Sequence, residues 1–431
     1  MRVGVLGCGT VGTALVALLQ QRGDVVRTRT GLSIEVARIA VRDASRPRAG
    51  VDPALLTEDP AAVVADPSID VIVEVMGGIE PARTLVLAAI AAGKPVVTAN
   101  KALLAEHGGE LFAAADAGGV DLLFESAVAG GIPLVRPLRE SLLAEPVDIV
   151  MGIVNGTTNY ILTRMTEAGA TYEDALAEAQ SLGYAEADPT ADVEGHDAAA
   201  KIAIVASIAF GAALTAHDVS CEGISSVTDH DIAFARRHGF VVKLLAVAER
   251  VETPDGDRLS VRVHPTLVPD THPLASVRES FNAVFVHGAA VGDLMFYGRG
   301  AGGDPTASAV LGDLVDASIN LRRGAHASVG ALAPTALLPV GDLVDAWYVG
   351  LEVEDRPGVL AAIASLLGER GVSIASMDQE VAGSGGSARI DLIVHPAREA
   401  DIRATLDGLR VLEPVRRVGS TLRVLPGAID R

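Results

Sequence analysis

Residues 2–12, RVGVLGCGTVG, constrain the fold more than any other stretch of this chain. A short apolar run leads into Gly7, Gly9 and Gly12 at G-x-G-x-x-G spacing, and the helical pattern TALVALLQQ follows. Glycines so spaced let backbone approach a pyrophosphate, and the helix start behind them supplies free amides and a positive dipole end. Without a strand before it and a helix after it, such a triplet is usually only a turn; here both flanks are present. The context predicts a βα unit that holds a dinucleotide at Gly7, Gly9, Thr10, Val11 and Gly12. Cys8 reads as a small residue in the phosphate turn.

The same rhythm continues. A second strand is expected over 34–41 and ends in Arg42-Asp43, with Arg46 and Arg48 close behind. An acid at that strand end accepts the ribose 2′-hydroxyl of NAD, whereas an arginine suits the 2′-phosphate of NADP. Arg42 tilts the reading toward NADP, and the adjacent Asp43 leaves NAD open. Further strands are expected over 70–75, 95–98 and 120–125, with helices over 81–92 and from Lys101. This alternation predicts a parallel, doubly wound α/β domain of Rossmann type over residues 1–130, with ligands at the strand carboxyl ends. Gly77-Gly78, Thr98 to Lys101 and Glu125-Ser126 fall at such ends. Thr98 and Lys101 are thus candidate cofactor contacts, and Lys101 reads as an active-site cation about as readily as a plain first-turn residue.

Beyond Pro133 the pattern changes. A strand is expected over 148–154, then the polar turn Asn155-Gly156-Thr157-Thr158-Asn159 before a helix, then strands over 240–250, 259–265 and 283–291. A Gly-Thr turn at a helix start suits a carboxylate ligand, although a plain N-cap gives the same sequence. Between these elements, LGYAEADPTADVEGHDAAAK (182–201) sets five carboxylates, Glu186, Asp188, Asp192, Glu194 and Asp197, within twelve residues, closed by Lys201. Asp197 and Lys201 are four apart at the start of an expected helix, so they share a face that enters an apolar wall. Desolvation and a neighbouring carboxylate both act on the proton affinity of a lysine so placed. A surface ion pair is the blander reading, but Pro189 and Gly195 fix turns between the acids and favour a polar pocket. Residues 131–302 are expected to form a central α+β domain, a mixed sheet carrying two or three helices. Gly298 to Gly303 then lead to a helix over 306–319; this turn either faces the cofactor from the other side, with Gly302 a candidate contact, or is only a flexible connection, and 303–325 is expected to return to the first domain. Residues 326–346, rich in Ala, Gly and Pro, read as a linker.

Composition excludes some classes. The net charge of −20 argues against broad nucleic-acid or anionic-membrane binding. No apolar run approaches the ~20 residues of a membrane span, so no membrane partner is expected. Two cysteines, Cys8 and Cys221, far apart in a 431-residue chain, fit a reducing compartment. A cytoplasmic location is expected.

Six motifs in order, GCGTVG, VVTANKALLA, ESAVAGGIP, NGTTNYIL, LGYAEADPTADVEGHDAAAK and LMFYGRGAGGDPTASAV, resemble the homoserine dehydrogenase family over most of residues 1–325. The 182–201 stretch is the specific one; the glycine fingerprint alone fits many dehydrogenases. The resemblance implies interconversion of L-homoserine and L-aspartate 4-semialdehyde with NADP or NAD, on the route to threonine, methionine and isoleucine. It implies Lys201 as general acid/base, with Asp197 beside it, and Lys101 as a second active-site lysine. Glu186 and Asp192 match acids that bind the substrate ammonium or order water, and Gly156 and Thr157 match the substrate turn. The resemblance also implies a substrate and oligomerisation role for residues 131–302. Glu125, with carbonyls at Val128, Gly130 and Ile132, matches a monovalent-cation site, commonly sodium. No kinase region precedes the first strand, so a monofunctional form is expected.

After the linker, residues 347–425 carry a βαββαβ pattern, with a Gly-Ser turn at 383–386, which predicts a ferredoxin-like module. With DRPGVL and GVSIASMDQ it resembles an ACT domain, a module that binds amino acids, often across a dimer interface. In this family it implies feedback inhibition by threonine or an assembly role, and a homodimer or homotetramer is expected. Two other functions fit less of the chain: another amino-acid or semialdehyde oxidoreductase, and an amino-acid sensor with a dead catalytic domain.

Overall fold

The computed structural model describes residues 1–381 and 386–425. Most of the Gly-Ser turn expected at 383–386 lies outside the described residues. The chain forms two units: Met1–Val150 with Ala199–Val219 and Asn282–Thr335, and Met151–Ala198 with Ser220–Phe281 and the chain from Ala336.

In the first unit, β1 (Arg2–Leu6), α1 (Thr10–Thr30), β2 (Glu35–Ala40), β3 (Leu56–Thr57), α2 (Pro60–Ala65), β4 (Val71–Glu74), α3 (Ala82–Ala91), β5 (Val96–Thr98), α4 (Lys101–Gly118) and β6 (Leu122–Leu123) follow in order. Their sheet runs β3-β2-β1-β4-β5-β6, parallel throughout. Strand order reverses at β1, and the crevice beyond its carboxyl end is where such sheets bind dinucleotides. β4 is buried along its whole length, as a strand covered on both faces must be.

β7 (Val147–Ile153) runs from the first unit into the second, where α5 (Gly156–Ala168), α6 (Tyr172–Ser181) and α7 (Thr190–Val193) follow. α8 (His196–Phe210) leads back into the first unit. β8 (Ser220–Cys221), α9 (Asp229–Arg237), β9 (Phe240–Val251) and β10 (Arg258–Pro269) complete the middle of the second. β11 (Phe281–Gly288), β12 (Gly292–Arg299) and α10 (Gly303–Arg323) come next. The expected single strand over 283–291 is therefore a hairpin. Glu145 accepts the Ala290 and Val291 amides at its turn, and β12 was hidden because its residues stay half exposed. α10 places Ala307, Val310 and Leu314 in the same core as Val3, Val5 and Leu15.

The last six elements are β13 (Val344–Glu354), α11 (Val359–Glu369), β14 (Ile374–Val381), β15 (Ser387–Arg398), α12 (Glu399–Arg410) and β16 (Val415–Val424). This is the expected βαββαβ order, with strands arranged β16-β13-β15-β14. β16 also pairs in parallel with β10, Thr266 opposite Arg423 and Leu267 opposite Val424. The ACT sheet thus continues the β9-β10 sheet of the second unit.

The stretch expected as a linker is not free chain. Ala333 exchanges backbone bonds with Gly211 and Ala213, and Leu259 exchanges them with Ala336 and Leu338. β13 already begins at Val344. An Ala- and Pro-rich segment carries no periodic signal, yet its amides still need partners once packed down.

Candidate active site

The three fingerprint glycines have distinct jobs. Gly7 sits at φ +104, and a Cβ there would lie 2.7 Å from the Val75 carbonyl oxygen. A Cβ on Gly12 would lie 2.5 Å from the Gly7 oxygen, so it is needed for close strand–helix packing. Gly9 faces open space, with nothing within 4 Å of its position for a Cβ. That is the division of labour of a pyrophosphate turn: one tight turn, one open approach, one close packing. A cavity of about 850 Å³ begins at Gly7 and Gly9 and extends past Arg42, Asp43, Arg46 and Arg48 to Gly77 and Gly78. Gly303, at the start of α10, lies with its Cβ position 3.2 Å from Thr10, and Gly302 before it is held at φ +124. The residues present fit a nicotinamide dinucleotide.

The charged groups at the end of β2 are unequal. Asp43 accepts both the amide and the hydroxyl of Ser45, at 2.9 and 2.6 Å, which holds its carboxyl below the usual range. Arg48 is pinned by backbone, donating to the carbonyls of Cys8, Asp43 and Arg46. Arg42 and Arg46 line the cavity from exposed positions.

Next to the switch point, one buried acid organises the crest of the sheet. Glu74, fully buried at the end of β4, accepts the Thr98 hydroxyl at 2.5 Å and the amides of Met76 and Gly77. Burial raises its proton affinity and those donors oppose the rise. Thr98 in turn accepts the Asn100 amide, and Asn100 donates to the Gly78 carbonyl and caps α4 at Leu103. Lys101 is the first residue of that helix and is exposed. Glu74 was not singled out from sequence, although one acid inside the buried run VIVEV was its signal.

In the second unit, Asn155 caps α5 by accepting the Thr158 amide. The plain N-cap reading was thus correct as far as it went. The same side chain also donates to Asp192 at 2.7 Å and to Asp197 at 2.8 Å. Gly156 is required by contact, since a Cβ would lie 2.8 Å from the Ser280 oxygen. Thr157 is buried and its hydroxyl donates to the Tyr184 carbonyl. Behind the turn, Lys243, 2% exposed, donates to Asn159 and to the Val277 carbonyl. Asn159 donates to the carbonyls of Val277, Glu279 and Phe281, so the pair holds the loop that carries Ser280. A single lysine within the apolar run FVVKLLAVA was the missed signal.

The five acids of 182–201 separate in the structure. Asp192 and Asp197 meet on Asn155, and Asp197 and Lys201 lie one turn apart on α8, 7% and 9% exposed. Glu186 is exposed, Asp188 closes its own turn with Thr190, and Glu194 accepts the Ser225 hydroxyl. Gly195 stands at φ +83, where a Cβ would lie 2.9 Å from Cys221 Sγ.

Glu125 has a structural task. Its carboxylate accepts the amides of Leu134, Val135 and Arg136, which is three of about four lone-pair positions. Its own amide donates to Asp313. Ala129 and Gly130, both at φ 55, fold the loop that carries the Val128, Gly130 and Ile132 carbonyls. Carbonyl oxygens with one remaining carboxylate position suit a hard monovalent cation.

Comparison with known proteins decides the family. A model described as homoserine dehydrogenase matches residues 133–315, one described as homoserine dehydrogenase, NAD binding domain matches 7–125, and an ACT domain model matches 347–413. Homoserine dehydrogenase of Corynebacterium glutamicum is 51% identical over 424 residues, covering 98% of this chain and 95% of that protein. The chain belongs to the homoserine dehydrogenase family. The crystal structure of a homoserine dehydrogenase from Thiobacillus denitrificans matches with a TM-score of 0.90 at 43% identity, over 99% of this chain and 98% of the other. A hyperthermophilic archaeal homoserine dehydrogenase in complex with NADPH covers 74% of this chain and 97% of its own, with a TM-score of 0.63 at 28% identity. The chain is thus an oxidoreductase with a nicotinamide-binding domain and an ACT domain, and among the described residues no helix is long and apolar enough to cross a membrane.

Proposed function

We propose that this homoserine dehydrogenase prefers NADP, with Lys201 as its general acid/base. The cofactor preference rests on one observation: Arg42 and Arg46 border the cavity at the end of β2, where Arg48 is held by backbone carbonyls and Asp43 is bonded through Oδ1 to Ser45. An arginine suits a 2′-phosphate, and two of them stand at this strand end. The NADPH carried by the archaeal relative is consistent with this.

When bound, the nicotinamide supplies or accepts the hydride. The chain's own residues handle charge and protons. Reduction of an aldehyde develops an alkoxide, which needs a nearby cation and a proton. Lys201 delivers the proton and Lys101 adds positive charge, while Asp197 lies one turn from Lys201. Glu186 and Asp192 take the substrate ammonium or its water, and Gly156 and Thr157 take the carboxylate end through the amides at the start of α5. Glu125 and the carbonyls of Val128, Gly130 and Ile132 would hold a monovalent cation, sodium by preference, in a structural capacity. The functional division is 1–130 with 303–325 for cofactor, 131–302 for substrate, and 347–425 for regulation. Threonine is the proposed effector, the assembly a homodimer or homotetramer, and the location cytoplasmic.

The test is homoserine-dependent reduction of NADP and NAD by the purified protein, repeated with threonine, methionine and isoleucine. Activity greater with NADP and lowered by threonine is expected. Preference for NAD would overturn the cofactor reading, and indifference to all three amino acids would overturn the regulatory one.

A further inference from the structure

We propose that Asn155 is a positioning residue that holds the Asp192 and Asp197 carboxylates together by giving one amide hydrogen to each. This rests on the reading above that those acids belong to the substrate site. Asn155 is 4% exposed, and its hydrogen-bonding capacity is used in full: Nδ2 donates to Asp192 Oδ1 and Asp197 Oδ2, and Oδ1 accepts the amide and hydroxyl of Thr158. The partners dictate the orientation of the amide, because two carboxylates demand donors and the Thr158 N–H demands an acceptor. A cap needs only the acceptor, and Asp or Ser caps a helix as well as Asn does. Only an amide side chain of this length caps α5 and also draws in two anions.

The two anions come from different elements. Asp192 lies on α7 and Asp197 on the first turn of α8, with Gly195 bending the chain between them. Asp197 is buried and Asp192 half-buried, and two like charges so close separate unless something donates to both. Asn155 is also the residue next to Gly156, so the same side chain sets the acids in register with the substrate turn. Its role is geometric: it fixes the direction of Asp192 toward substrate and of Asp197 along the face of α8 that carries Lys201.

Asn155→Ser and Asn155→Asp test this, because both keep the cap acceptor and lose the pair of amide hydrogens: the serine hydroxyl is shorter and can donate only once, and the aspartate carboxylate cannot donate. The readouts are the thermal midpoint, kcat, and KM for homoserine and for NADP. The expected result is a midpoint near that of the unmodified protein, kcat/KM for homoserine lowered about 100-fold through both kcat and KM, and an unchanged KM for NADP. The Asp variant is expected to be worse than the Ser variant, since it sets a third carboxylate against the first two. A residue that merely caps would predict equal effects, and partial unfolding would lower kcat without moving KM. Asp192→Asn and Asp197→Asn are assayed alongside. If these lose activity while Asn155→Ser keeps kcat/KM for homoserine, the positioning role is wrong and the site stands. If both aspartate variants keep full activity, the reading of the site falls and the proposal with it.

Discussion

The hydroxyl of Thr98 donates to Glu74 at 2.5 Å, tying the carboxyl ends of two adjacent strands together at the crest of the first sheet. Glu74 simultaneously holds the amides of Met76 and Gly77, which border the cofactor cavity, and Thr98 leads through Asn100 to the helix that starts at Lys101. A buried acid thus shapes the floor of the cavity without being offered to solvent. Glu74→Gln puts an amide nitrogen where an acceptor is needed. It is expected to cost about 1–3 kcal/mol of stability and to raise KM for NADP, read by thermal unfolding and by cofactor titration of the rate.

Arg42→Ala is expected to weaken NADP roughly tenfold, equivalent to about 1.4 kcal/mol, with little effect on NAD. Equal losses for the two cofactors would remove the 2′-phosphate contact from the account.

Lys201→Ala is expected to lower kcat by about 10²–10⁴-fold, the range for removal of a positioned acid/base, while NADP still binds. Fluorescence titration of NADPH alongside the rate separates the two effects. Retention of most activity would assign the proton transfer elsewhere.

Lys243 provides a pH signature. Burial pushes its ammonium down to about 8, whereas in the unfolded chain it titrates at about 10.4. Below pH 8 both states carry the proton and stability is level in this respect. Between the two values the unfolded state binds more protons, so stability rises with pH. Compared with Lys243→Met, the unmodified protein is expected to gain about 2 kcal/mol between pH 8 and 10 in urea unfolding. Parallel curves for the two proteins would show that Lys243 does not titrate there.

Much of this molecule was readable in one dimension, and the reasons differ by element. The Rossmann strands announced themselves because a parallel strand covered on both faces must be apolar throughout, as in VIVEV and PVVT. β12 and α9 stayed hidden: the first is half exposed along its length, and the second, DHDIAFARR, is short and mostly polar, with a buried apolar face of Ile232, Phe234 and Ala235. The anchoring of the expected linker was not legible because its backbone bonds to Gly211, Ala213 and Leu259 depend on chain segments far away. Among the candidate site residues, Lys201 and the acids are legible in sequence as a cluster, but Asn155 only as a cap.

The sequence by itself determined the dinucleotide turn, the alternation of the first domain, the ACT order and the family, because all of these are written in neighbouring residues and local periods. Only the tertiary structure decided which acids meet on one partner. Asn155 reaches Asp192 across 37 positions and Asp197 across 42, and no local pattern marks that pairing. It likewise decided that β16 joins β10, and that Asp43 turns to Ser45 while Arg42 borders the cavity. Hydrogen-bond partners distant in sequence are selected by how packed elements meet, and a strand's neighbour is selected by the edge left open to it. Neither choice leaves a periodic trace in the chain.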